Sequence, residues 1–295
     1  MGDMNFVLLA IGNPGNSGTL SLNSILSIKP EKICVMADDQ GEKWLQNFNF
    51  YTEFTRNLIC IHKVTNKDLE EFEIVSPTGK FQNYGNNRFN RLTILKWVIL
   101  KKVIETHVNS KTFFFTDLDV LWFKSPNTEF LEKNFMFVQN DPNPNSKKIH
   151  YCTGIMFWQS NQISLNLLSD LTRYQNLNCN NDLHDEQIFN LYFEDNKSLN
   201  TVRCLDSNLY PVGSQARHLL LSKSKNLKKL VAFHANYFVG DKNKTMVMKA
   251  ILAKKSNNVT WPAWILKLYI HLFARKYSLV FKNKVLKRST VNLNE

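Results

Sequence analysis

The sequence predicts an α/β protein in which a mixed, mostly parallel sheet is flanked by helices, and three observations carry that expectation. Short, almost wholly apolar runs, NFVLLAI at 5–11, ICVMA at 33–37 and FFF at 113–115, have the composition of strands buried on both faces. Longer segments between them repeat apolar residues at the helical period, most clearly from Arg88 to Thr106 through Leu92, Leu95, Val98 or Ile99 and Val103. The runs end in Gly, Asn, Pro or Asp, and open α/β sheets bind ligands in loops at the carboxyl ends of their strands.

Taken in order, the run at 5–11 enters Gly12-Asn13-Pro14-Gly15, a turn that brings backbone near Ala10 and Asn13 close to a nucleotide base. It lacks the Gly-Lys-Ser/Thr ending of a P-loop. Leu20 to Ile28 is expected as a helix with Leu22, Ile25 and Leu26 on one face, closed by Pro30. The second strand, Ile33 to Ala37, ends in Asp38-Asp39, where an acid meets a ribose hydroxyl or simply faces water. Trp44 to Phe54 reads as a helix and Leu58 to Ile61 as a strand; Thr65 to Asn87, broken by Pro77, Gly79 and Gly85, reads as an irregular excursion. On the helix from Arg88, the basic residues Arg88, Arg91 and Lys96 form a solvated face or reach a diphosphate.

Beyond the triple Phe, Phe135 to Gln139 and Tyr151 to Gln159 read as strands, and Thr153-Gly154 permits backbone to approach a ligand closely. Ser164 to Arg173 is helical, as is Glu186 to Phe193, with Ile188, Phe189 and Tyr192 on its apolar face and Asp185 as its cap. Leu205 to Val212 and Leu230 to Phe233 are short edge-like elements. The second leads into His234 and a loop from Gly240 to Lys244.

The chain is organised around Thr112 to Pro126, TFFFTDLDVLWFKSP. Its strand delivers Asp117 and Asp119 to the carboxyl end of the sheet, and Val120 to Phe123 return the chain to the core. Acids held between two apolar segments need a compensating cation or donors, and hard carboxylate oxygens suit Mg²⁺ or Mn²⁺.

Composition sets further bounds. With 295 residues and 43% hydrophobic content, the chain is long and apolar enough for one large α/β domain or two small ones, and disorder is not the default. Thirty-seven Lys and Arg against 25 Asp and Glu give a formal charge of +12, concentrated toward the carboxyl end from Ser222, which favours anionic partners. Aromatic-basic interleaving of the kind found in RNA-binding strands is missing, which argues against nucleic acid. Five scattered cysteines with no Cys-x-x-Cys read as buried free thiols in a reducing compartment. The strand at the amino end leaves no room for a signal or anchor, so the expected location is cytoplasmic, or the Golgi or ER lumen where an anchor precedes the sequence. Sequons at Asn196, Asn243 and Asn258 matter only in a lumen. Trp261 to Phe281 predicts a basic amphipathic helix that packs on the domain or lies on an anionic membrane.

Five motifs in order, TDLDVLWFKSP, CTGIMFWQS, DEQIFN, LDSNLYPVG and HANYFVGDKNK, resemble the nucleotide-diphospho-sugar transferase family, retaining GT-A glycosyltransferases that include plant and amoebal xylosyl-, galactosyl- and arabinosyltransferases. The resemblance spans about residues 5 to 250 and implies one Rossmann-like GT-A domain over 1–250, with 251–295 as an extension. It implies a UDP-sugar donor, a glycan, protein or lipid acceptor, and Mn²⁺ or Mg²⁺. It also assigns roles. Asp117, Asp119 and His234 hold the cation, with Asp117 also touching the ribose; Lys244, or Lys242 in a shifted loop, meets the diphosphate. Asp185, with Glu186 and Gln187, lies on the far side of the sugar as the catalytic group, while Ala10, Asn13, Asp38, Arg91, Lys96, Gly154, Asn236 and Gly240 line the donor site. Glu186 departs from the family's common Asp-Gln form. A basic nucleic-acid or anionic-lipid binding module is the rival from another class, and a metal-dependent hydrolase or phosphoryl transferase on the same acids is a second rival.

Overall fold

The computed structural model describes residues 5–48, 52–65, 87–106, 112–128, 136–142, 149–177, 183–196, 201–221 and 227–256. The amphipathic segment Trp261 to Phe281, the excursion at 66–86, Cys179 and Asn258 lie outside the described residues. Among the described residues seven strands form one sheet: β1 (Asn5–Ala10), β2 (Lys32–Ala37), β3 (Ile59–Lys63), β4 (Thr112–Thr116), β6 (Met136–Asn140), β7 (Tyr151–Gln159) and β8 (Val202–Cys204), in the order β3-β2-β1-β4-β7-β6-β8. The first four run parallel, and β7 is antiparallel to both β4 and β6. Two further strands, β5 (Val120–Trp122) and β9 (Ala232–His234), pair antiparallel as a separate ribbon.

Strand order reverses between β1 and β4, which opens a crevice at their carboxyl ends. Phe113, Phe114 and Phe115 are buried, so β4 contributes side chains to both faces. On one face, Phe113 and Phe115 join α4 (Asn87–Thr106), α5 (Gln162–Leu177) and α6 (Asp185–Asp195), where Trp97 stacks on Phe189. On the other, Phe114 and Phe6 meet Leu22 and Ile25 of α1 (Gly15–Ser27) and Leu45 of α2 (Asp39–Gln46). A third apolar group joins the β5–β9 ribbon to α7 (Ala216–Leu221) and α8 (Asp241–Lys255).

Several expectations are corrected. The segment Trp44 to Phe54 is not one helix: α2 starts at Asp39, capped by the Asp38 side chain on the Gly41 amide, and α3 (Glu53–Leu58) starts afresh at the Thr52 cap. Leu205 to Val212 forms no strand; β8 ends at Cys204, and Leu209 and Tyr210 fold back on Asp206 in a turn. Gly240 to Lys244 is not a loop, because Gly240 is the cap of α8 and Lys244 lies in its first turn. Asp185 is not the cap of α6 either; that position is His184, whose backbone amide donates to Gln187 Oε1. Among the described residues four cysteines are free thiols, of which Cys34 and Cys152 are buried as expected while Cys60 and Cys204 are half-buried, and no helix is long and apolar enough to cross a membrane.

Candidate active site

The site is assembled by three returns of the chain to the carboxyl end of β4. Asp117 follows that strand directly, its amide donating to the Gly154 carbonyl of β7 at 2.9 Å. The turn at 117–119 then enters β5, whose Val120 is registered opposite His234 of β9, and the Ala235 amide donates to Asp119 O. This ribbon places His234 Nε2 3.1 Å from Asp119 Oδ1 and 3.8 Å from Asp117 Oδ2. One ligating atom from each of the three residues lies within 4.8 Å of the others, so two hard carboxylates and an imidazole nitrogen fit a divalent cation. Glycine at 154 is required by this arrangement, because a Cβ there would come 2.0 Å from His234 Cε1.

His234 is boxed in on its other side. Its Nδ1 lies 3.0 Å from Gln139 Oε1 and 3.4 Å from Cys152 Sγ. Asn236 donates to Cys152 Sγ at 3.4 Å and accepts the Gly213 amide at 2.6 Å. Asn236 therefore fixes the backbone around the histidine.

Two lysines supply the positive charge. Lys244 Nζ, from the first turn of α8, lies 2.5 Å from Asp119 Oδ2, whereas Lys242 is exposed. Lys96 is neither solvated nor turned outward; it is 3% exposed and donates to Asp185 Oδ2 at 2.5 Å and to the Thr153 carbonyl at 3.2 Å. Its ammonium is also 3.3 Å from Asp117 Oδ1. Burial alone would discharge this lysine, but Asp117 and Asp185 hold its pKa above the ordinary value. Burial would likewise raise Asp185 and Asp119, yet Lys96 and His184 hold Asp185 well below the usual carboxylate range, and Lys244 does the same for Asp119. At Asp117 burial wins and Lys96 only partly offsets it, so this carboxyl is raised.

The remaining donor-site expectations divide. Asp38 is buried, and its Oδ1 accepts the amides of Gly12 and Gly41, so it braces the turn after β1 and does not face water. Ala10 closes β1 at the bottom of the crevice, and Asn13 is exposed with its Oδ1 on the Gly15 amide. The amino end of α1 is occupied by Asp241, which accepts the Ser17 amide at 2.7 Å. Arg91 lies within α4, and Gly240 adopts a φ of 87° that favours glycine.

Glu186 faces a second group. Its carboxylate, Asp141 and His150 bring ligating atoms within 4.8 Å of one another, and Tyr237 O–H donates to Asp141 Oδ2. Burial, then the charges of Asp185 and Asp141, push the Glu186 carboxyl up to about 8. Sequence reasoning missed Gln139, Cys152, Asp141 and Tyr237. A polar residue closing the apolar FMFVQ strand was the available signal for Gln139; nothing local marked the others.

Comparison with known proteins agrees with this architecture. Among solved structures, a galactosyltransferase, LgtC, in complex with donor and acceptor sugar analogues superposes with a TM-score of 0.58 at 12% identity, over 88% of this chain and 98% of that one. An active-site mutant of LgtC in which a glutamine is replaced by glutamate gives 0.57 with the same identity and coverage. No curated protein sequence matches significantly. The mostly parallel sheet and its flanking helices are those of a GT-A fold. The profile of the nucleotide-diphospho-sugar transferases matches residues 60–248, more than half of the chain and every motif from Asp117 to Lys244, so the protein belongs to the nucleotide-diphospho-sugar transferase family.

Proposed function

We propose that this glycosyltransferase moves a sugar from a UDP-sugar to a hydroxyl of a glycan, protein or lipid acceptor, with retention, using Mn²⁺ or Mg²⁺ at Asp117, Asp119 and His234. The observation that carries this is the convergence of those three side chains and Lys244 at the strand-order reversal, beside the buried Lys96–Asp185 pair. A divalent cation supplies Lewis-acid neutralisation of the diphosphate as the sugar departs. Lys244, within reach of the same acids, binds the diphosphate oxygens and offsets the charge that builds there. In this reading Ala10 and Asn13, at the turn that Asp38 braces after β1, meet the nucleoside, and Arg91 is the α4 residue assigned to the diphosphate.

Asp185 is kept ionised by Lys96 and stabilises an oxocarbenium-like sugar carbon by charge. Its Oδ2 is engaged by both Lys96 and Thr153 Oγ1, which supports a route in which the leaving diphosphate takes the acceptor proton on the same face. Glu186, whose carboxyl burial pushes up to about 8, offers in its protonated form one acceptor and one O–H donor where a glutamine would offer an acceptor and an N–H. Gln187 acts through the His184 amide, holding the start of α6. The basic tail either packs on the domain or contacts an anionic membrane, and a cytoplasmic location accords with Asn243, whose amide donates to Val239 O in the first turn of α8.

The test is a panel of sugar nucleotides with Mn²⁺, products identified by mass spectrometry and anomeric configuration by NMR. UDP with Mn²⁺ is expected to raise the melting temperature more than ATP or an oligonucleotide does. Equal stabilisation by ATP, or hydrolysis with no transferred sugar, would favour the phosphoryl-transfer alternative.

A further inference from the structure

We propose that Gln139 is a positioning residue that fixes the tautomer of His234 for cation binding; this rests on the metal reading of Asp117, Asp119 and His234. Gln139 is fully buried, and the register between β6 and β7 breaks beside it, so that Val138 pairs with Met156 while Gln139 pairs with Cys152. The irregularity turns the amide toward the ribbon. Its Nε2 donates to the carbonyls of Tyr210 at 2.9 Å and Pro211 at 3.1 Å. Carbonyls only accept, so the amide has one orientation and Oε1 is the atom left for His234. Oε1 also only accepts, so Nδ1 at 3.0 Å carries the hydrogen and Nε2 keeps its lone pair. That lone pair points at the two aspartates.

Pro211 ties the device together. Its carbonyl accepts from the His234 amide at 3.1 Å as well as from Gln139, so one backbone oxygen positions both the histidine and the group that sets its tautomer. Cys152 Sγ, 3.4 Å from the same Nδ1, is the ring's other neighbour on that side. Gln139 needs no contact with substrate; it acts through His234.

The experiment measures Mn²⁺ affinity by electron paramagnetic resonance with UDP present, alongside long-range ¹H–¹⁵N NMR of the wild-type histidines with diamagnetic Mg²⁺ and UDP. The expected spectrum shows His234 protonated at Nδ1. Gln139→Met is expected to weaken Mn²⁺ about tenfold to a hundredfold, as losses of a ligand's orienting partner do, and Gln139→Glu, which retains the acceptor, to recover most of it. A folded Gln139→Met with wild-type affinity, or His234 protonated at Nε2 in the wild type, overturns the proposal. If Gln139→Met does not fold, the wild-type spectrum decides. Equal Mn²⁺ binding by wild type and His234→Ala would instead sink the metal reading itself.

Discussion

Lys244 and Asp119 form an ion pair at 2.5 Å across a sequence separation of 125 residues, joining the first turn of α8 to the acid that follows β4. The lysine therefore stands beside the acids proposed to hold the cation. Removing it as Lys244→Ala is expected to lower kcat about tenfold to a thousandfold, the range for a single electrostatic donor, with a smaller change in KM for the donor. Lys244→Arg should restore part of the rate, because a planar fork replaces a point charge. Lys242→Ala should be nearly neutral, since that side chain is exposed. Steady-state kinetics on the three variants decide the assignment, and a fully active Lys244→Ala removes it.

Asp119→Asn should abolish sugar transfer and UDP-dependent Mn²⁺ binding while leaving the circular dichroism spectrum intact. The wild type in excess chelator should be inactive as well. Retained transfer in either case would rule out the cation as a cofactor.

Gly154→Ala places a methyl group 2.0 Å from the His234 ring, and that ring is confined by Gln139 and Cys152. Overpacking of this kind costs roughly 1–3 kcal/mol, so a lower melting temperature and weakened Mn²⁺ binding are expected together. A variant with wild-type metal affinity would show that the histidine has room to move.

Lys96→Met leaves Asp185 buried without its partner, which costs about 3–5 kcal/mol when one member of a buried pair is removed. The double variant Lys96→Met with Asp185→Asn should regain much of that loss. Both should be inactive. Denaturant unfolding gives the stabilities, and additive losses in the double variant would mean that the pair is not coupled.

Glu186 gives a pH dependence. Its folded-state pKa, about 8, lies above its ordinary 4.5, so between those values the folded chain holds more protons than the unfolded chain. Stability therefore falls as pH rises through that window, and the destabilisation is complete above about pH 8. Glu186→Gln should raise the melting temperature at pH 8.5, with the difference shrinking toward pH 5; a difference independent of pH would mean that Glu186 ionises as an ordinary surface acid.

What the sequence determined by itself was the local pattern and the chemistry it carries. Apolar runs such as Phe113 to Phe115 could be read as buried strands because burial on both faces leaves no polar position. The long helix from Asn87 follows from its period, Asp117 and Asp119 stood out because acids held between core segments are conspicuous, and His234 was singled out only through the resemblance of its motif. Boundaries set by single hydrogen bonds were not legible: the Asp38 and Thr52 caps split one expected helix into two. Lys96 read from sequence as part of a basic helix face, and only packing α4 against β7 and α6 shows it sealed on Asp185. Gln139, Cys152 and Asn236 lie up to 97 residues apart, and they meet because strand register and a break in that register bring them to one ring. A side chain's type limits which bonds it can make, but its partner is fixed by long-range pairing, which carries no local signature.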